Sequence, residues 1–180
     1  MKKSSKGFSL IELLIVVAII LIIAAIAIPN LLRSRIAANQ ASAVGSLRTL
    51  NTAEITYSST YNTGFSTSLV ALGPPQAGLN PTSTAAGLID SVLAGGQAGT
   101  ASTTCPGTLT AAGGCSAKSG YNFAYSPGAT DSAGRVNQYS FQAAPVSSST
   151  GTNYYYTDES GVLRQNSTTT ASTSDSPLAG

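Results

Sequence analysis

The sequence predicts an α+β fold in which one long N-terminal α-helix packs against a small antiparallel β-sheet head. An almost continuous apolar run occupies residues 8–28, and an amphipathic pattern with helical spacing follows it to about residue 61. Short alternating segments separated by turn residues fill the C-terminal part of the chain, which predicts antiparallel strands. These features together indicate a single globular head carried on a long helix.

The apolar run has the length of a membrane span. From Phe8 onward only Ser9 and Glu12 interrupt it, and about 20 helical residues cross the ~30 Å hydrocarbon core of a bilayer. Three lysines precede it: Lys2, Lys3 and Lys6. The positive-inside rule places them in the cytoplasm and the rest of the chain outside. An ordinary secretory signal is the alternative, but this run is longer than such a signal and no small-residue cleavage site closes it.

Apolar residues continue on one side of the helix between residues 30 and 61. This stripe comprises Ile36, Ala43, Leu47, Leu50 and Tyr61, and it also includes Gln40 and Glu54. We expect the stripe to pack against the head, with Tyr57 and Tyr61 as the last helical contacts. The helix is expected to end at residues 62–64, where Asn and Gly occur.

In the head, at residues 62–165, the pattern predicts a short helix at 85–94 and a polar loop at 97–118. Four strands are expected, at residues 121–125, 138–143, 153–157 and 161–164. Residues 158–161 have the composition of a hairpin turn. We expect residues 166–180, a tail rich in Ser and Thr, to be disordered.

The composition argues against several classes of function. The chain has no His, and its formal net charge is +2. We expect no enzymatic activity, no catalytic residue, no cofactor and no metal site. Apart from the three N-terminal lysines no basic patch is evident, so we expect no binding of nucleic acid.

The two cysteines, Cys105 and Cys115, both lie in the polar region beyond the apolar run. An even number of cysteines in an exported segment predicts one disulfide. The alternative is a pair of free thiols.

The N-terminus resembles that of type IV prepilins and the related pseudopilins over roughly residues 1–60. The resemblance is carried by Gly7-Phe8-Ser9-Leu10-Ile11-Glu12, by the apolar run and by the Pro29 that ends it. It implies the pilin fold, a leader peptide at residues 1–7 and cleavage between Gly7 and Phe8 by a membrane aspartyl prepilin peptidase. The same peptidase would then methylate the new amine of Phe8.

Glu12 lies within the membrane-length segment, where a carboxylate costs about 2.5–3.5 kcal/mol on insertion scales and calls for a partner. The resemblance implies that Glu12 pairs with the Phe8 amine of a neighbouring subunit, and this pair would set the axial register more than it adds stability. The alternative is that Glu12 sits near the bilayer surface and extends its carboxylate into water.

Pro29 removes one helical hydrogen bond and predicts a kink. It marks the boundary between the apolar segment, residues 8–29, and the amphipathic continuation, residues 30–61. The resemblance adds a second interpretation, in which the helix melts locally near Pro29 when subunits pack. Related pilins often have a Gly midway along the apolar run, and this chain has Ile19-Ile20-Leu21-Ile22 there.

The resemblance implies a structural subunit, of the major-pilin kind, in an extracellular type IV pilus that assembles by packing of N-terminal helices. Implied partners are other copies of the chain, the prepilin peptidase and an inner-membrane assembly platform with a cytoplasmic ATPase. The precursor would be a single-pass inner-membrane protein, and the product a filament on the bacterial surface. Alternatives are a pseudopilin of type II secretion, an adhesive minor pilin or a membrane-anchored binding module.

The disulfide can be tested on exported protein. We expect the intact mass to be two hydrogens lower before reduction than after it, because Cys105 and Cys115 are joined. Replacing both by Ser is expected to lower the free energy of unfolding by roughly 3 kcal/mol, the loop-closure value for a loop of this length. Two alkylatable thiols in non-reduced exported protein would contradict the prediction.

Overall fold

A computed structural model describes residues 8–96, 109 and 111–178. The long helix α1 is Leu10–Tyr61, and a short 3₁₀ turn follows at Leu69–Leu72. Five strands come next: β1 Cys115–Lys118, β2 Tyr121–Pro127, β3 Tyr139–Pro145, β4 Tyr154–Asp158 and β5 Arg164–Asn166. They form one antiparallel sheet in the order β1-β2-β3-β4-β5. The predicted α+β fold is therefore confirmed.

The chain divides into two units, Met1–Arg35 and Ile36–Gly180. In the described part of the first unit, every large apolar side chain from Phe8 to Leu32 is at least 45% exposed. By length and composition α1 could cross a membrane. Pro29 lies inside α1, which remains helical on both sides of it.

The second unit has its core between α1 and the sheet. The buried side of the helix includes Ala43, Leu47, Leu50, Glu54 and Tyr57, which follow one another at intervals of three or four residues. They meet aromatic side chains of the sheet: Tyr121, Phe123, Tyr125, Phe141 and Tyr155. The predicted stripe is confirmed at its centre, and the helix ends where expected, because Asn62 adopts a left-handed conformation with φ 54°.

Strand β1 was not predicted, since the sequence analysis assigned residues 97–118 to a polar loop. That assignment is wrong for Cys115–Lys118, which pair with β2. The two strands are joined by Ser119 and Gly120, whose φ angles of 51° and 75° fit a two-residue hairpin turn with positive φ at both positions. The dipeptide Ser-Gly between two strand segments is the local signal that could have revealed β1.

The predicted helix at residues 85–94 is also wrong. Residues 86–89 instead run alongside the 3₁₀ turn, where the Ala86 amide donates to the Ala71 carbonyl (2.8 Å) and the Leu88 amide to the Leu72 carbonyl (2.8 Å). Turns follow at residues 91–95. The buried side chains of Ile89 and Leu93 still join the core, so their apolar character reflects packing rather than helical structure.

The C-terminal tail is ordered over residues 166–178, which corrects the expectation of disorder. Ala171 is buried, and the Leu178 amide donates to the Leu163 carbonyl (2.7 Å). The Asp175 carboxylate accepts from the Ser172 amide (2.6 Å) and from the Asn166 side chain (2.8 Å), and these bonds hold the pKa of Asp175 below its ordinary value.

The predicted turn at residues 158–161 is confirmed by the bond from the Gly161 amide to the Asp158 carbonyl (2.9 Å). The last strand, Arg164–Asn166, begins later than predicted.

Leu47 offers a test of this packing because its side chain is fully buried between helix and sheet. Leu47→Ala is expected to lower the free energy of unfolding by about 2–5 kcal/mol, the range for buried leucines. Urea unfolding of the full-length chain in detergent, followed by tyrosine near-ultraviolet circular dichroism, would measure it. The control is Ile55→Ala on the same helix, where the side chain is 62% exposed; equal losses in the two variants would contradict the assigned core.

Candidate functional site

Two of the predicted site residues, Phe8 and Glu12, lie at the start of α1. Ser9 precedes the first helical residue, and Glu12 lies in the first turn. Glu12 Oε2 accepts a hydrogen bond from the Ser9 amide (2.9 Å), and the Leu13 amide donates to the Ser9 carbonyl (3.2 Å). This is one half of a capping box, in which a Glu three residues after the cap satisfies the amide of the cap residue.

The sequence analysis assigned Glu12 to subunit pairing and missed this capping bond. The spacing Ser-x-x-Glu ahead of an apolar run is the signal that could have found it. The bond matters for any experiment on Glu12, because a glutamine could preserve the cap while removing the charge. Phe8, just before the helix, is 76% exposed. Gly7 lies outside the described residues, so the cleavage site stays a prediction.

Comparison with known protein families identifies a motif in this N-terminal segment. Residues 2–28 match the family model for the prokaryotic N-terminal methylation motif. The chain carries this methylation motif. The match covers Phe8, Glu12 and the whole apolar run, which are the residues that the fold leaves exposed to the surroundings.

Two curated relatives each match a part of the chain. The type IV wide pilus major component PilA4 of Thermus thermophilus is 65% identical over 37 residues, which are 21% of this chain and 28% of the relative. The type IV major pilin protein PilA of Myxococcus xanthus is 52% identical over 50 residues, 28% of this chain and 23% of the relative. The chain thus matches about a quarter of the length of each relative. No solved structure matches the chain.

A second polar site lies inside the head, around Glu54. The Glu54 side chain is fully buried, and its two oxygens accept from the Ser66 amide (2.9 Å) and the Ser66 hydroxyl (2.6 Å). The Tyr125 hydroxyl donates to the Ser66 carbonyl (2.6 Å). Burial raises the pKa of Glu54 above its ordinary value, and the bonds from Ser66 oppose that rise.

These contacts join three parts of the head: helix α1, the segment that follows it and strand β2. Close to them, the Asn51 side chain donates to the Thr157 hydroxyl of β4 (2.7 Å). The sequence analysis placed Glu54 on the packing stripe without finding its partner, since Ser66 comes into reach only when the chain reverses after α1. The arrangement orients the helix on the sheet, and we assign it a structural role.

The other predicted site residues are less informative. Cys115 is buried at the start of β1, whereas Cys105 lies outside the described residues, so the disulfide stays a prediction. Pro29 is helical, as described above, and its role in subunit packing is likewise untested. Within residues 8–96, 109 and 111–178, no group of three or more His, Cys, Asp or Glu side chains could hold a metal ion.

The buried carboxylate predicts a dependence of stability on pH. Because the pKa of Glu54 is raised in the folded state, this group's contribution is fully present below the unfolded pKa and is lost as the pH rises through the folded pKa. Glu54→Gln, which resembles the protonated acid, is expected to remove this part of the decline over the pH range that begins at the ordinary carboxyl pKa. Urea unfolding of both proteins across that range would measure it.

Glu54→Ala provides the companion variant. It would leave the Ser66 amide without its acceptor, whereas the Ser66 hydroxyl could still donate to the Ser68 carbonyl (3.2 Å). The loss is expected to lower the free energy of unfolding by about 1–3 kcal/mol at every pH in the range. If the wild-type protein and Glu54→Gln gave parallel pH profiles, Glu54 would not be the titrating group.

Proposed function

We propose that the chain is the structural subunit of a type IV pilus, of the major-pilin kind. The observation that carries the proposal is a methylation motif at the start of a helix whose apolar surface is exposed on all sides. The precursor is held in the inner membrane with its N-terminus in the cytoplasm. A prepilin peptidase cleaves it between Gly7 and Phe8, and an assembly platform with a cytoplasmic ATPase adds it to an extracellular filament.

The exposed apolar segment supports a protein that occupies two environments in turn, first the membrane and then the filament. Its large apolar side chains from Phe8 to Leu32 are at least 45% exposed, and in water each exposed Å² of apolar surface costs roughly 25 cal/mol. Lipid tails cover such a surface before assembly, and neighbouring helices can cover it afterwards, since leucine side chains and lipid tails are similarly apolar. The apolar surface of the segment can therefore be covered in both environments.

Glu12 provides the polar specificity that an apolar surface lacks. In the precursor its carboxylate caps the helix through the Ser9 amide. Cleavage would create a charged amine on Phe8, and in the filament Glu12 of one subunit would bind the Phe8 amine of the next. A charge buried among apolar helices costs several kcal/mol unless it is paired, so a misaligned subunit would be rejected.

The two relatives support a pilus rather than the alternatives. Both names describe major subunits of type IV pili, which favours a main filament component over a secretion pseudopilin or an anchored binding module. The head, with its sheet and ordered tail, would form the outer surface of the fibre.

The central test compares two substitutions of Glu12 in the native host. Glu12→Ala removes both cap and charge, whereas Glu12→Gln preserves a capping acceptor and removes only the charge. We expect both to reduce the yield of sheared filaments by about tenfold or more, because an unpaired buried charge costs about 3–5 kcal/mol. Normal yield from Glu12→Gln would show that capping alone accounts for Glu12.

Ser9→Ala is the matched control, since it alters the neighbouring polar residue and leaves Glu12 in place. The wild-type baseline is the N-terminal peptide of sheared material, which should begin at methylated Phe8. A surface-released chain that starts at Met1, or a chain that remains in the membrane fraction, would refute the proposed function itself.

A further inference from the structure

One face of α1 in the second unit is left without a partner. Ala41, Gly45, Arg48, Thr52 and Ile55 follow at alternating intervals of four and three residues, and all are exposed. At 100° per residue they lie opposite the buried stripe. Ile55 is 62% exposed, which leaves a large apolar side chain on the surface of the folded head. We call these five residues the outward face.

Nothing within a single chain requires a glycine at position 45. Glycine inside a helix is less stable than alanine by roughly 0.5–1 kcal/mol. A Cβ atom at position 45 would meet nothing within 4 Å, so an alanine would fit without strain in the single subunit. A glycine here is explained if another chain approaches the helix backbone closely.

Arg48, one turn further along, is a basic side chain on this face. Of the other described basic side chains of the second unit, Lys118 pairs with Asp90 (2.7 Å) and Arg135 with Asp131 (3.1 Å), whereas Arg164 donates to the main-chain carbonyl of Asp175 (2.9 Å). Arg48 forms no ion pair with any described residue. It is the third of the five residues of the outward face and is exposed.

The acidic counterpart lies on a different surface of the same chain. Asp158 and Glu159 form the β4–β5 turn, and neither is in an ion pair with a described residue. They line a cavity of about 350 Å³ that also includes Tyr139, Ser140 and Tyr156. A guanidinium group fits such a place, because its planar set of donors can pair with carboxylates.

From these features we infer that the outward face docks a second copy of this chain, with Arg48 entering the Asp158–Glu159 cavity of that copy. The second copy is the occupant because the chain itself carries both complementary surfaces. They are different surfaces, so the contact is heterologous, and repeated heterologous contacts generate an open helical filament unless the rotation closes a ring. The inference rests on the proposed function and names the contact between heads that accompanies helix packing.

A charge exchange tests this contact in the full-length chain in its host. Arg48→Glu and Glu159→Arg, each alone, are expected to lower sheared-filament yield about tenfold, the factor that corresponds to 1.4 kcal/mol. The double substitution restores the net charge and exchanges the partners, and should recover most of the yield. Thr60→Glu adds a negative charge at an exposed helix position away from the outward face, and is expected to leave the yield unchanged.

Two further measurements separate assembly from folding. Thermal unfolding in detergent should be similar for wild type and all charge variants, since neither Arg48 nor Glu159 is buried. Gly45→Ala is expected to raise the unfolding temperature of the single subunit and yet reduce filament yield.

The outcomes distinguish this contact from the proposed function. If wild-type fibres begin at methylated Phe8 and both single charge variants assemble normally, the inferred contact is wrong while the pilus function stands. Failure of the double substitution to exceed the single ones would also refute the pairing. If the wild-type chain forms no fibre, the proposed function fails and the contact fails with it.

Discussion

The rest of the structure depends on an apolar helix surface that the chain does not cover itself. From Phe8 to Leu32 the large apolar side chains are exposed, and such a surface cannot persist in water. It needs either lipid or other helices. In the function that we propose, processing, membrane residence and polymerisation all serve this one requirement, and the head stays folded throughout because its core is built from other residues.

Each of the two units contains a glutamate whose carboxylate needs a polar partner, and the two carboxylates obtain that partner in different ways. In the head, Glu54 is buried with its partner Ser66 in the same chain, so the site is complete on folding. Glu12 has a local cap from the Ser9 amide, but we propose that its charge is matched only by a neighbour. A carboxylate whose partner lies in the same chain orients the elements of one subunit. A carboxylate whose partner lies in a neighbouring chain aligns two subunits.

Features with a local physical signal could be predicted from the sequence, and those that depend on distant contacts could not. The apolar run, the stripe around Leu47 and the turn at residues 158–161 each follow from spacing or turn chemistry. Residues 85–94 have helical periodicity, but bonds to residues 71–73 hold residues 86–89 in an irregular, non-helical path. Of the candidate sites, Phe8 and Glu12 carry a motif, while Glu54 and Ser66 meet only through the reversal of the chain after α1.

The ordered tail has a consequence for the filament that we propose, in which many heads would lie close together. The Gln165 amide of β5 donates to the Ser176 carbonyl (3.1 Å), and Leu178 binds Leu163 in the same way (2.7 Å). The tail therefore occupies hydrogen-bonding positions at the margin of the sheet, where an open strand would recruit strands from adjacent molecules. At the β5 edge, crowded heads of the proposed filament would then touch through side chains without pairing strand to strand, which separates orderly assembly from aggregation there.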